Sequence, residues 1–492
     1  MKIKNANLAP LMDSLSQDYV FVDNELQNSI ERLGFWRIFH KYGVSKKRYG
    51  YGVHQVVFCL IICYFLRNDS IRSFCGKCLS VFIDGGKDVV YDFFKREDIK
   101  WRKISLSLAK EIYTQHNIAS NDSAFVVDDT IKKRSGKKVD GVSSHFDHTE
   151  GRCVMGQQVL ELGLSTPTGF IPLDRQIFIG GKNVHPLNSE FTDKRCAAAK
   201  DYETALNKTK HEMLEEMLKR ILNSGIKAKF ILGDSWFGCK KNIDLALLLG
   251  LTGIFRMKRS KLKYVYRGKE YTLTELHCLF IEKQLREKKS NKNCRWKTIS
   301  LNVQVNLSDD KKTPEWVELK LVFSAPKNPR KHEWAAFICT DVNLKDEEVL
   351  KAYALRWGVE VYFKEAKQNM GFLKEQTGNY VCHYASVHLT AIRYLLIFDS
   401  MLRRGGCRFG EMRNEITGRF EMLTFASLLW EFFKAIIYGV LDQFEQTIGS
   451  NVLKKIRETI KNTVENFLEK ALQLDENYLK NEFKAEKLGL LT

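Results

Sequence analysis

Hydrophobic positions fall at helical spacing toward both ends of the chain and in short runs through its middle. Asp23 to His40 carries apolar residues every three or four positions, which predicts a helix with Phe35, Trp36 and Phe39 near its end. Val53 to Leu66 is apolar almost throughout and predicts a buried helix; Trp101 to Tyr113 predicts another. At Ser123 the pattern changes. AFVVDDT, residues 124–130, is a short apolar run ending in acids, as expected of a buried strand that delivers carboxylates to its C-terminal edge. VMGQQVLELGLS and IPLDRQIFIG, separated by TPTGF, predict two strands and a turn. Lys200 to Ser224 predicts one long amphipathic helix ended by Gly225. KFILGD, residues 229–234, is a second buried run closed by an acid, and Asn242 to Leu249 predicts the helix after it. IFRMKRS, KYVYRG, TISLNVQVNL, WVELKLVFSA and WAAFICTD then predict β structure. Helical spacing returns in YALRWGVEVYFKEAK, residues 353–367, and continues through SVHLTAIRYLLIFDSMLRR, LTFASLLWEFFKAIIYGVL and a charged tail over 451–486. Opposite charges four apart in that tail, Lys461–Glu465 and Glu476–Lys480, suit exposure or partner packing.

Charge narrows the range of partners. The 492 residues carry 78 Lys and Arg against 59 acids, a formal net charge of +19, which favours a polyanion and above all nucleic acid. The rival, a membrane surface, finds little support. Val56 to Leu66 is too short to span a bilayer, Leu428 to Leu441 is broken by Glu431 and Lys434, and MKIKNANLAP lacks a signal-peptide core. A cytoplasmic protein is expected. The 12 cysteines are scattered, as reduced thiols are. Cys75-Gly-Lys-Cys78 is a CxxC, but its nearest companions, Cys59 and Cys63, lie inside the apolar run, where cysteine acts as a small hydrophobe. His145 and His148 form a His-x-x-His without two further ligands nearby in sequence.

The chemistry gathers around residues 353–367. At 100° per residue, Tyr353, Arg356, Glu360, Lys364 and Lys367 fall in one narrow sector of a helix, with Leu355, Val359, Tyr362, Phe363 and Ala366 apolar elsewhere. A surface helix also puts its charges on one face. Here the stripe holds one carboxylate among cations and a phenol, a set that suits a metal ion beside a phosphate. Upstream, Asp128 and Asp129 end one buried run and Asp234 another. Adjacent strand residues point to opposite faces, so one of the first two faces any site, and the residues alone do not say which. Acids that merely cap the following turns are the plain alternative. Two basic stretches, Ser45–Gly52 with its aromatic residues and Lys132–Lys138, suit phosphate approach or ordinary solvation equally.

Tyr353-x2-Arg356-x3-Glu360-x6-Lys367 resembles the Y-R-E-K signature of bacterial insertion-sequence transposases of the DDE type. The resemblance covers roughly residues 120–385. It implies a ribonuclease H-like α/β core, a mixed sheet flanked by helices, at 119–250 and 345–400. A β-rich insertion would span 251–344, with a helical DNA-binding domain at 1–118 and a helical, dimer-forming region at 401–492. It implies Glu360 as the third catalytic, metal-binding carboxylate and Asp234 as the second. The family's first aspartate directly precedes Thr, which selects Asp129, with Asp128 as the alternative. Tyr353, Arg356 and Lys367, together with Lys364 on the same stripe, would contact DNA. An insertion tryptophan in the pattern Trp-x5-Thr would stack on a flipped base, which points to Trp334 ahead of Trp296 and Trp316. The implied cofactor is a pair of Mg²⁺ or Mn²⁺ ions. The implied partners are double-stranded DNA with terminal inverted repeats, target DNA and a second copy of the chain in a synaptic complex, within a bacterial cytoplasm and near the nucleoid. The implied reaction nicks the element's ends and joins the freed 3′-OH to target DNA by two-metal phosphodiester chemistry. Two other classes share these residues: a different ribonuclease H-like nuclease, and a non-catalytic DNA-binding derivative of a transposase.

Overall fold

The computed structural model describes residues 26, 28–43, 51–66, 70–83, 85–136, 138–288, 296–308, 310, 313–328, 330 and 333–472. Ser45 to Gly50 of the first basic loop, Lys137 of the second and the Glu476–Lys480 pair lie outside these residues, as do the side chains of Lys461 and Glu465. The chain divides into two compact units. One comprises residues 109–188 and 199–365; the other comprises 1–108, 189–198 and 366–492. Residues 366–400 thus group with the N-terminal and C-terminal helices.

The first unit is built on one mixed sheet. Its strands are β1 (Ala124–Lys133), β2 (Ser143–Asp147), β3 (Arg152–Thr166), β4 (Gly169–Phe178), β5 (Phe230–Gly233), β6 (Thr252–Arg256), β7 (Lys263–Tyr266), β8 (Lys269–Thr272), β9 (Trp296–Asn306), β10 (Trp316–Pro326) and β11 (Ala335–Cys339). The core runs β4-β3-β1-β5-β6: β3 is antiparallel to both neighbours, and β1, β5 and β6 are parallel. This is the ribonuclease H-like arrangement. IFRMKR, read from sequence with the insertion, supplies β6 of the parallel block. The insertion then prolongs the same sheet, because β11 pairs antiparallel with β6 and is followed by β10, β9, β7 and β8. The apolar runs form central strands because both faces are covered: Ala124 to Val127 and Ile231 and Leu232 are fully buried.

Three helices differ from the sequence pattern. The helix expected over 23–40 is interrupted before Phe35–Gly43 by Gly34, which takes φ +59, a conformation glycine adopts without strain. The helix expected over 200–224 is two, Ala197–Asn207 and Lys210–Asn223. Thr209 and Glu212 form a capping box that satisfies the first amides of the second helix and fixes where it starts. The helix expected over 353–367 is also two, Asp346–Ala354 and Trp357–Asn369, joined by a tight turn at Leu355–Arg356. Ser165 Oγ donates to the Leu355 carbonyl at 2.6 Å, tying that turn to β3. Gly358 lets the second helix approach: a Cβ there would lie 2.5 Å from Ser165 Oγ.

In the second unit, helix Tyr380–Arg404 has the length and composition to cross a membrane, a feature the sequence reading passed over, but its apolar window is entirely buried. Its Arg393 is satisfied within the unit. Arg393 donates to the Leu60 and Ile61 carbonyls at 3.1 Å, capping the C-terminal end of helix Val53–Ile62. Cys63 donates to the Leu60 carbonyl at 3.3 Å, and Cys59 is fully buried.

Candidate active site

The β1–β5 register assembles the site. Val127 lies opposite Gly233, so the next residues, Asp128 and Asp234, leave two adjacent parallel strands side by side. That is the sheet edge where open α/β folds place their chemistry. Asp234 is locked by its own turn: the backbone N–H groups of Trp236 and Phe237 donate to its Oδ1 at 2.8 and 3.4 Å. Gly238 is needed for that turn to pass β6, since a Cβ would come within 2.2 Å of the Arg256 carbonyl.

Asp128 is pushed up to about 7, first by burial and next by the charge of Asp234. Arg356 offsets part of this crowding. Its Nη1 donates to Asp128 Oδ2 at 3.1 Å, and its Nη2 pairs with Glu360 Oε1. One guanidinium therefore joins the β1 carboxylate to the carboxylate of helix Trp357–Asn369. Tyr353 completes the group. Burial pushes its hydroxyl up to about 12, and Arg356, Arg256, Asp234 and Asp128 all act on it electrostatically. Its ring rests on Phe337, with centroids 4.6 Å apart.

Asp129, the residue selected by the resemblance, faces the other way. Its Oδ1 accepts from Gln158 Nε2 and its Oδ2 from Lys210 Nζ, both at 2.7 Å. Period-2 alternation forces the separation, because two neighbours on one strand cannot both face Asp234. Trp334 is also enclosed. His277 stacks on it with centroids 4.1 Å apart and planes 7° apart, the Arg259 guanidinium lies 4.1 Å from the ring centre, and Arg259 donates to its carbonyl at 3.1 Å. Trp296 and Trp316 are exposed. Lys364 and Lys367 are exposed on the same helix as Glu360, one and two turns further along. At the end of β1, Lys133 pairs with Glu150 and Asp147, and Arg134, the next residue, donates to Gln157 at 2.9 Å. His145 is buried against the Ser143 hydroxyl at 2.8 Å, whereas His148 packs edge-on against Phe146.

Two residues at this edge escaped the sequence reading. Trp357 is 64% exposed immediately after Arg356. Arg256, exposed at the end of β6, lies within electrostatic reach of the Tyr353 hydroxyl. The first was legible as an aromatic residue beside the Arg–Glu pair; the second had no local signal, since only sheet pairing brings it to this edge.

The donor set of the three converging acids is hard carboxylate oxygen, which suits Mg²⁺ or Mn²⁺. The crowding that raises Asp128 is what a divalent cation would offset, so the chemistry of these donors suits such an ion. Among the described residues, the three that bring His, Cys or acid ligand atoms within 4.8 Å of one another are His277, Cys278 and Glu282 in the insertion; Arg356 stands between Asp128 and Glu360.

A family model described as DDE superfamily endonuclease matches residues 59–268, and one described as Transposase DDE domain matches residues 184–396. No curated protein matches the chain significantly. Enzymes of this superfamily generally use divalent metal ions. The two matched spans together take in both carboxylate-bearing strands and the Arg–Glu helix, and the chain belongs to the DDE-type transposases.

Proposed function

We propose that this transposase nicks the ends of an insertion sequence and joins the freed 3′-OH to target DNA, using Asp128, Asp234 and Glu360. The observation that carries the proposal is the pairing of strand register with a shared guanidinium. Asp128 and Asp234 emerge side by side, and Arg356 connects Asp128 to Glu360. Two Mg²⁺ or Mn²⁺ ions held by these acids would activate the attacking oxygen and stabilise the leaving one in an in-line displacement.

The protein's own groups then handle the DNA. Arg356 exchanges a carboxylate for a backbone phosphate, a charge-assisted bidentate contact. Tyr353 donates its hydroxyl proton to a phosphate oxygen, and Lys364 and Lys367 extend positive charge along the same helix. This assignment of Tyr353, Arg356, Glu360 and Lys367 is the Y-R-E-K branch of the family. Trp357 offers a free ring for stacking on a base at the cut end, whereas Trp334 would first have to release Arg259. Self-association in a synaptic complex is supported by Phe432, Phe433, Ile436 and Val440, which are exposed on helix Phe409–Gln443.

The test uses a supercoiled plasmid carrying the DNA that flanks the gene, with Mg²⁺ or Mn²⁺. Wild-type protein should nick at the element's ends and join them to a second plasmid. Asp128→Asn, Asp234→Asn and Glu360→Gln should bind the ends and fail to nick. Nicking without any joining would favour a repair or resolvase-type nuclease. A fully active Asp128→Asn beside an inactive Asp129→Asn would return the first position to Asp129.

A further inference from the structure

The back of the sheet holds an ammonium that the proposed reaction leaves unused. Lys210 is the first residue of helix Lys210–Asn223 and is only 8% exposed. A cation there is costly twice over, because it loses hydration and because the N-terminal end of a helix carries positive partial charge. Its surroundings offset that cost. Nζ donates to Asp129 Oδ2 at 2.7 Å, and it lies 4.7 Å from the Trp236 ring centre and 5.1 Å from that of Phe178. The next residue, His211, also stacks on Trp236, with centroids 4.9 Å apart and planes 13° apart.

These contacts reach both aspartate-bearing segments, β1 and the turn after β5. Asp129 adjoins Asp128 on β1. Trp236 follows Asp234 by two residues, and its backbone N–H holds Asp234 Oδ1 at 2.8 Å. We infer that Lys210 is a positioning residue that fixes the spacing of Asp128 and Asp234 from the opposite face of the sheet, through Asp129 and Trp236. The inference rests on the proposed carboxylate site. Its effect should resemble that of other groups that orient metal ligands, whose loss lowers metal affinity about 10–100-fold.

Mn²⁺ titration of the full-length protein, followed by calorimetry or electron paramagnetic resonance, decides the matter. Lys210→Met keeps the stem and removes the charge. Positioning requires its Mn²⁺ Kd to rise about tenfold, with Lys210→Arg recovering most of the loss. If Lys210 were only a background charge, its removal would tighten Mn²⁺ binding, and a purely structural role would lower Tm without moving Kd. Unchanged or tighter binding by Lys210→Met, alongside weakened binding by Asp128→Asn, overturns this inference alone. Wild-type binding by Asp128→Asn overturns the site itself and the inference with it. Should Lys210→Met fail to fold, Asp129→Asn removes the charge and keeps a single acceptor oxygen, so Lys210 and Gln158 can no longer both donate to it. It should weaken Mn²⁺ binding in the same direction, and an unchanged Kd would refute the inference.

Discussion

Asp128→Asn should make the metal-free protein more stable while abolishing its chemistry. In the native chain Asp128 is pushed from its ordinary 3.8 to about 7 by burial and by Asp234. A carboxyl whose native pKa is raised holds a proton that the unfolded chain has already released. Native protein therefore binds more protons between about pH 4 and pH 7, and stability falls as pH rises through that window before levelling off. At ~1.4 kcal/mol per pH unit, the cost at pH 8 approaches about 4 kcal/mol. Asn escapes that cost but turns the charge-assisted contact with Arg356 into a weaker neutral one, so the expected net gain is about 2 kcal/mol at pH 8. The assay is urea unfolding in EDTA at pH 5 and pH 8, followed by circular dichroism. Wild type should lose stability between the two pH values relative to the variant, whose difference should be flatter. Mn²⁺ should stabilise wild type and leave the variant nearly unchanged. A variant no more stable than wild type at pH 8 in EDTA would refute the argument that Asp128 is crowded by Asp234.

Other perturbations probe different links. Burial and the nearby Lys210 push His145 down to about 4, so it stays neutral in the native state while the unfolded chain takes up a proton near 6.5. Its contribution to stability is complete above about pH 6.5 and falls by up to about 3 kcal/mol toward pH 4, a loss that His145→Gln should remove from the pH profile of urea unfolding. Glu161 and Arg175 form an ion pair at 3.1 Å with both side chains fully buried; Glu161→Leu should cost about 3–5 kcal/mol in urea unfolding, because it strands a buried guanidinium. Trp357→Ala should change folding stability by no more than about 0.5 kcal/mol, yet weaken binding to a nicked end duplex by about 1–3 kcal/mol if the ring stacks on a base. Equal gel-shift affinities for that variant and wild type would leave the exposed ring without a role in DNA binding.

The elements that hold the acids were legible because each is a short apolar run closed by an aspartate. AFVVDD and KFILGD became neighbouring buried strands, and Glu360 reached them from a helix. What the sequence left open was geometry that depends on distant partners. Asp128 and Asp129 are chemically identical neighbours, and only the pairing of Val127 with Gly233 distinguishes them. A rule taken from the following Thr selects the residue that faces away from Asp234, because orientation follows strand alternation and the position of β5. The stripe from Tyr353 to Lys367 raises the same difficulty in another form. Its spacing satisfies one continuous helix, but Ser165 and the close approach at Gly358 bind a tight turn into it from β3, nearly two hundred residues earlier. Arg356 consequently sits in a turn, where its guanidinium can reach across to β1 while still meeting Glu360. The break at Thr209 differs from both, since Thr-x-x-Glu is a capping signature readable in place. Had it been read so, Lys210 would have stood out from the sequence as a cation at a helix start, a position that asks for a buried acid such as Asp129 to answer it.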